Sequence, residues 1–374
     1  MKKMSNILQS IFSFTINLIK TQDKKRETKF SLIRYNEKGH RIVKSNILTL
    51  LVLIICSISF GQRAQIIKSF NHHSVVLKND TINYHTYSKI SIDSTKNLLV
   101  YLQGSKASSL YQIKEEEGKT YFGTVIPLDF KLLPDDYLLV VISKKGFPFL
   151  TEMDKEFPVP KIYYENQTLA YRTFQADQVI NDIVKNHRNQ FKKIIALGHS
   201  EGSDVVAKVG TINKKITHFG YWSGGGNTQF IDFITFVKNK VDKGFLSEEE
   251  AQTEINSILA DLKKIMTNPN SIDNFWQGYT NSYKRWSSFS EPPIDNLLKI
   301  DKPIFAAIGS KDQSVALESA YLIPIEFIRQ KKENLTFKVY PGLDHGFGKE
   351  LENGKFEKHF NDVFQDFLNW VNDN

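Results

Sequence analysis

The pentapeptide Gly198-His199-Ser200-Glu201-Gly202 constrains the fold of this chain more than any other stretch. It follows the apolar run Ile194-Ile195-Ala196-Leu197 and leads into Ser203-Asp204-Val205-Val206-Ala207-Lys208-Val209, so a strand pattern gives way at once to a helix pattern. A chain that passes from strand to helix in so few residues turns sharply. The residues two before and two after the serine must then be small, or strand and helix cannot pack closely. Gly198 and Gly202 meet that demand and leave the Ser200 side chain at the tip of the turn.

The rest of the chain supplies neighbours for that strand. Ser74 to Lys78 and Thr81 to Tyr87 are short alternating runs around the turn signal Asn79-Asp80, which reads as an opening hairpin. Leu98 to Leu102 and Tyr137 to Ile142 are continuous apolar runs suited to strands buried on both faces. Apolar residues recur at helical spacing between Leu169 and Val184, and Ile216 to Trp222 reads as a further strand closed by Ser223-Gly224-Gly225-Gly226. The alternation stops from about Asn227 to Ser290. There Phe230, Ile234, Val237 and Val241 share a helix face, and Ser247 with Glu250 spells a capping box. Strand and helix resume with Ile304 to Gly309, a helix over 316–331 and a strand over Leu335 to Tyr340. A final helix is expected to bury Phe356, Phe360, Val363, Phe364, Phe367 and Val371. A hairpin followed by alternating strands and helices predicts an α/β fold with a mostly parallel central sheet and helices on both faces. The core is expected over 62–226 and 291–374, with 227–290 as a helical cap insertion over the strand ends, where such sheets place their ligand sites.

Charge argues against a nucleic-acid partner. The formal net charge is +8, but residues 1–62 hold 11 Lys/Arg against 3 Asp/Glu, and the remainder balances at 38 against 38. No surplus is left to neutralise phosphates. Cys56 is the single cysteine, which excludes a disulfide, a cysteine metal site and a thiol nucleophile in the rest of the chain. The histidines show no metal-ligand spacing, and neither a metal nor a cofactor is expected.

The apolar run Ile47 to Phe60 follows Arg41 and Lys44 and precedes Gly61-Gln62. It is short for a bilayer span and suits the core of a signal peptide, with residues 1–61 as a basic leader. Ser59 and Gly61 would be the small residues of a cut before Gln62. This predicts a secreted or periplasmic protein that meets the membrane only through its leader, or a tethered one if the leader is uncut. The stretch Leu53-Ile54-Ile55-Cys56 places a bulky Ile55 where lipidation needs a small residue. The basic residues 1–42 make a long leader, and initiation at Val43 would give a compact one.

A serine hydroxyl is a poor nucleophile at neutral pH. It needs a base within hydrogen-bond reach, and that base needs an anion to hold its tautomer. His345, in Tyr340-Pro341-Gly342-Leu343-Asp344-His345-Gly346-Phe347, directly follows the last predicted strand. Asp312, in Gly309-Ser310-Lys311-Asp312-Gln313-Ser314-Val315, directly follows the strand before it. Asp344 is a poor orienter, because the side chain of a sequence neighbour points elsewhere. In the order Ser200, Asp312, His345 and in these loops, the sequence resembles the α/β-hydrolase superfamily from about residue 75 to the C-terminus. The ending Asp344-His345-Gly346-Phe347 is similar to dienelactone-hydrolase-like and acyl-thioesterase-like members. The resemblance implies Ser200 as nucleophile, His345 as general base and then acid, and Asp312 as its orienter. It also implies an oxyanion hole from the backbone N–H groups of Glu201 and of Ser105, the residue after Gly104. Gln103 stands where many members have histidine, a change that leaves a backbone donor in place.

The expected activity is that of an exported serine hydrolase, carboxylesterase- or thioesterase-like, acting on small-molecule esters or thioesters of short to medium acyl groups. A small aminopeptidase of the same fold, with Glu201 holding the substrate amine, and a non-catalytic binding module are the alternatives. Trp276, Tyr279, Tyr283 and Trp286 have the spacing of packing residues, but a cap must also close over substrate. Some of them are expected to face the cleft with Gly104.

Overall fold

The computed structural model describes residues 67–374, apart from 118, 188, 189, 277 and 353. The leader, its apolar core at 47–60, Cys56, Val43 and the cut before Gln62 lie outside the described residues. Among the described residues, no helix is long and apolar enough to cross a membrane.

The strands are β1 (Asn71–Leu77), β2 (Asp80–Tyr87), β3 (Asn97–Leu102), β4 (Tyr111–Glu116), β5 (Lys119–Thr124), β6 (Tyr137–Ile142) and β7 (Leu150–Glu152). They continue as β8 (Lys193–His199), β9 (His218–Trp222), β10 (Ile304–Gly309), β11 (Leu335–Tyr340), β12 (Gly348–Glu350) and β13 (Phe356–Lys358). Eight of them form the central sheet, in the order β1-β2-β6-β3-β8-β9-β10-β11. The hairpin β1–β2 joins antiparallel to β6, and every pairing from β6 to β11 is parallel.

The apolar runs become central strands because each feeds two cores at once. Leu98, Val100 and Leu102 of β3 point into one cluster, and Leu99 and Tyr101 into the other. Strand β6 repeats the pattern, with Leu138, Val140 and Ile142 on the first side and Tyr137, Leu139 and Val141 on the second. That is the two-residue period of a strand covered on both faces. The first face is packed by α2 (Leu169–Asn186), which follows the short α1 (Lys161–Asn166), and by α3 (Glu201–Ile212). The second is packed by the C-terminal helix Phe360–Asp373 through Phe360, Val363, Phe364, Phe367 and Val371.

Local differences from the sequence reading have physical causes. The strand read from Ile216 starts at His218, because Thr217 turns its hydroxyl back to the carbonyl of Ile194. Phe356 is not in the last helix: it lies in the hairpin β12–β13 and is exposed. A small sheet in the order β5-β4-β7 has no counterpart in the apolar pattern. Its strands carry polar and charged residues such as Lys114, Glu115 and Glu116, so little alternation marks them.

Between β9 and β10 the chain leaves the sheet as α4 (Gln229–Asp242), α5 (Glu248–Thr267), α6 (Tyr283–Ser288) and the short α7 (Ile294–Leu297). Helix α8 (Leu317–Arg329) follows β10, and the C-terminal helix is α9. Ser247 and Glu250 exchange both hydrogen bonds of a capping box at the start of α5. Helices α4 to α6 build a core of their own from Phe230, Ile265, Trp276 and Trp286.

Candidate active site

Ser200 sits between β8 and α3 with φ 58° and ψ −129°, a backbone conformation that is costly for a residue with a side chain. The surroundings hold it there. Its N–H donates to the carbonyl of Trp222 (3.0 Å), and its carbonyl accepts from the N–H of Ser203 (2.8 Å). A Cβ on Gly198 would lie 2.1 Å from the carbonyl oxygen of Gly202, and one on Gly202 would lie 1.9 Å from that of Leu102. Both glycines are therefore required by close backbone approach.

His345 and Asp312 reach Ser200 from loops at the ends of β11 and β10. Nε2 of His345 is 2.9 Å from Oγ of Ser200, and its Nδ1 is 2.8 Å from Oδ2 of Asp312. Asp312 is buried, and its Oδ1 also accepts from the N–H groups of Ser314 and Val315, which fixes the carboxylate. Asp344 is occupied within its own loop, accepting from the N–H groups of Gly346 and Gly348. The carbonyl of His345 accepts from His199 Nε2 (2.8 Å) and Ser223 Oγ (3.0 Å). Burial and the neighbouring His345 lower the His199 pKa to about 4, so its imidazole is neutral, and the carbonyl partner places its proton on Nε2. As a flank of the nucleophile His199 is expected only to shape the turn; in the structure it also fixes the backbone of the histidine that faces Ser200.

The loop after β3 stands directly against the serine. A Cβ on Gly104 would come within 3.3 Å of Ser200 Cβ. The loop is held by its carbonyls: Gln103 O accepts from Arg172 (2.8 Å), Gly104 O from Lys144 (2.6 Å) and Ser105 O from Tyr163 (3.1 Å). In a trans peptide the C=O and the following N–H point in opposite directions. The contact from Lys144 to Gly104 O therefore turns the Ser105 N–H to the opposite side of the loop. Ser105 lines the same cavity as Ser200. The Glu201 N–H, at the first position of α3, has no acceptor within its helix.

Behind this loop lies a buried ionic network that the sequence did not reveal. Glu201 accepts from Arg172 (2.6 Å) and from Arg285 Nε (2.8 Å), and Lys144 lies 3.9 Å away. Burial would raise the Glu201 carboxyl, but Arg285, Lys144 and Arg172 outweigh it and hold the pKa down to about 2. Burial, reinforced by Arg172 and Arg285, pushes the Lys144 ammonium well below its usual range. With its two carboxylate oxygens taken by arginines, Glu201 is not placed to receive a substrate amine, which corrects the role considered for it in an aminopeptidase.

The cavity containing Ser200 and His345 has a volume of about 60 Å³ and a largely polar lining that includes Asp204, Asn227, Gln229, Asp232 and Arg285, with Phe289 and Val315 as apolar members. None of Trp276, Tyr279, Tyr283 and Trp286 lines it, contrary to expectation. Trp276 and Trp286 are buried in the core of the insertion with Tyr283 packed against them, and Tyr279 stacks on Trp276 at 5.2 Å. Three packed helices need an apolar centre, and these rings supply it. Among the described residues no three His, Cys, Asp or Glu side chains converge on a metal-sized site.

The strand order, the strained serine between β8 and α3, and the histidine and aspartate delivered by loops after β11 and β10 identify the architecture. The chain has an α/β-hydrolase fold. Residues 276–374, which carry both Asp312 and His345, match the dienelactone hydrolase family. No curated protein matches the sequence. Solved structures similar to this chain include an acylaminoacyl peptidase from Pyrococcus horikoshii, at 12% identity and a TM-score of 0.48 over 83% of this chain and 43% of that one. This chain thus spans less than half of the peptidase. Others are a cold-adapted esterase from an Arctic intertidal metagenomic library, at 14% identity and a TM-score of 0.42 over 80% and 92% of the two chains, and Est1E from Butyrivibrio proteoclasticus, at 14% identity and a TM-score of 0.43 over 79% and 97%.

Proposed function

We propose that this α/β-hydrolase is an exported serine hydrolase that cleaves a small ester or thioester through an acyl-enzyme on Ser200. One observation carries the reading: the continuous hydrogen-bonded chain from Ser200 Oγ through both nitrogens of His345 to the Asp312 carboxylate. His345 Nε2 takes the Ser200 proton as Oγ attacks the carbonyl carbon, and Asp312 holds Nδ1–H and stabilises the imidazolium that forms. The oxyanion is received by the N–H groups of Glu201 and Ser105. His345 then donates its proton to the leaving oxygen or sulfur, and afterwards activates the water that releases the acid. The substrate is a small molecule rather than a nucleic acid, and no cofactor enters the cycle.

Labelling with a fluorophosphonate tests this. The protein should be modified, and its Ser200→Ala variant should not. No modification of the unaltered protein would sink the enzyme reading. Ester, thioester and aminoacyl-amide panels then rank the bond cleaved, and the favoured outcome is turnover of the first two. Export rests on the apolar run at 47–60, and N-terminal sequencing of protein from the extracellular or periplasmic fraction should begin at Gln62.

A further inference from the structure

Arg285 is the cation that the insertion contributes to the cavity, and its bonding is incomplete. The side chain is 6% exposed, with the guanidinium lying 4.6 Å over the Trp286 ring and 4.8 Å over that of Phe289. Nε donates to Glu201 and one Nη to Gln229 (3.3 Å), while the other Nη has no acceptor among the described residues. A guanidinium carries five N–H donors, and this one lines the cavity with donors to spare, which an oxygen-rich ligand there would take. The cavity also lacks a charge to satisfy it. The single charge of Glu201 is shared with Arg172. Asp204 and Asp232, the other carboxyls of the wall, are pushed up to about 7 and about 8, in both cases chiefly by burial. Burial thus weakens both as anions near neutral pH.

We propose that this cavity holds a carboxylate carried by the acyl group of the substrate, with Arg285 as the residue that recognises it. The inference rests on the serine-hydrolase reading above. Arg285 lines the same cavity as Ser200 and His345, so a carboxylate at Arg285 and a carbonyl at Ser200 belong to one short acyl chain. At about 60 Å³ the cavity is small, so the chain between the reacting carbonyl and the carboxylate is short. The substrate class is therefore the monoester or monothioester of a short dicarboxylic acid.

The test compares aryl monoesters of succinate with the butyrate ester, which has the same leaving group and nearly the same length, and with the 4-aminobutyrate ester. The expected result is at least a tenfold preference in kcat/KM for succinyl over butyryl, falling to within threefold in Arg285→Gln and partly restored in Arg285→Lys. A ratio is read because loss of the Glu201 contact lowers both rates together. Succinate alone should raise the Tm of the unaltered protein by more than butyrate does, which gives a binding readout independent of turnover and of the variants. Equal rates for succinyl and butyryl esters, or no differential shift in Tm, would overturn the proposal. Preference for 4-aminobutyryl would overturn it too, in favour of Asp204 and Asp232 as an ammonium site. Failure of fluorophosphonate labelling refutes the hydrolase reading itself, whereas labelling and ester cleavage without carboxylate preference refute only this inference.

Discussion

The sheet and the insertion between β9 and β10 meet at one cavity and bring opposite things to it. The sheet delivers Ser200, Asp312 and His345 from loops at strand ends, each held by backbone hydrogen bonds. The insertion is rich in aromatic rings yet keeps Phe230, Trp276 and Trp286 for its own core, and sends Arg285 and Asp232 into the cavity. An inserted unit must first bury enough apolar surface to fold, and only then does it have residues to spare for a ligand. The aromatic content of the insertion is thus a poor guide to the lining of the cavity, and its polar residues are a better one.

The most severe test of the sheet's half is Asp312→Asn. It keeps the shape but favours the wrong tautomer of His345, and turnover should fall about ten-thousand-fold, as measured by steady-state kinetics with circular dichroism confirming the fold. A drop of less than tenfold would mean that His345 does not depend on its partner. Next is Glu201→Gln, at the junction of the two halves. It leaves Arg172 and Arg285 buried without their shared anion, a loss of about 3–5 kcal/mol, to be read from denaturant unfolding. Stability within 1 kcal/mol of the unaltered protein would show that water, not Glu201, serves those arginines.

Asp232→Asn addresses the insertion's second contribution. Asp232 Oδ1 accepts from the N–H of Ala316, which an amide oxygen can continue to do. Because the folded pKa is raised to about 8, the folded chain keeps a proton that the unfolded chain has released above pH 4. Stability from this group is complete at low pH and is lost as pH rises towards 8. The variant should flatten the decline in unfolding free energy between pH 4 and pH 8, and an unchanged slope would mean that the carboxyl titrates normally. The mildest change is Trp276→Phe, which removes the indole N–H donated to Asp261 and costs about 1–3 kcal/mol. Its acyl-length profile should match that of the unaltered protein. An altered profile would break the comparison, because the insertion's aromatic core would then touch substrate.

What was legible in the sequence follows from range. Strands β3, β6 and β8 read clearly because residues buried on both faces leave long apolar runs. The small sheet β5-β4-β7 did not, since strands carrying Lys114 and Glu115 lack that mark. Ser200, Asp312 and His345 could be named because each follows a readable strand at a loop. Arg172, Lys144 and Arg285 could not, as nothing near them in the chain distinguishes them from solvated surface charges.

The sequence by itself determined the turn at Ser200, since backbone approach at Gly198 and Gly202 admits no side chain, and it determined the alternation that builds the parallel sheet. Only the tertiary structure decided which charges meet at Glu201 and which rings stay out of the cavity. A tight turn is a property of five consecutive residues, whereas the environment of Glu201 is assembled from the loop after β6, α2 and α6, whose distance apart in the chain hides their contact in space.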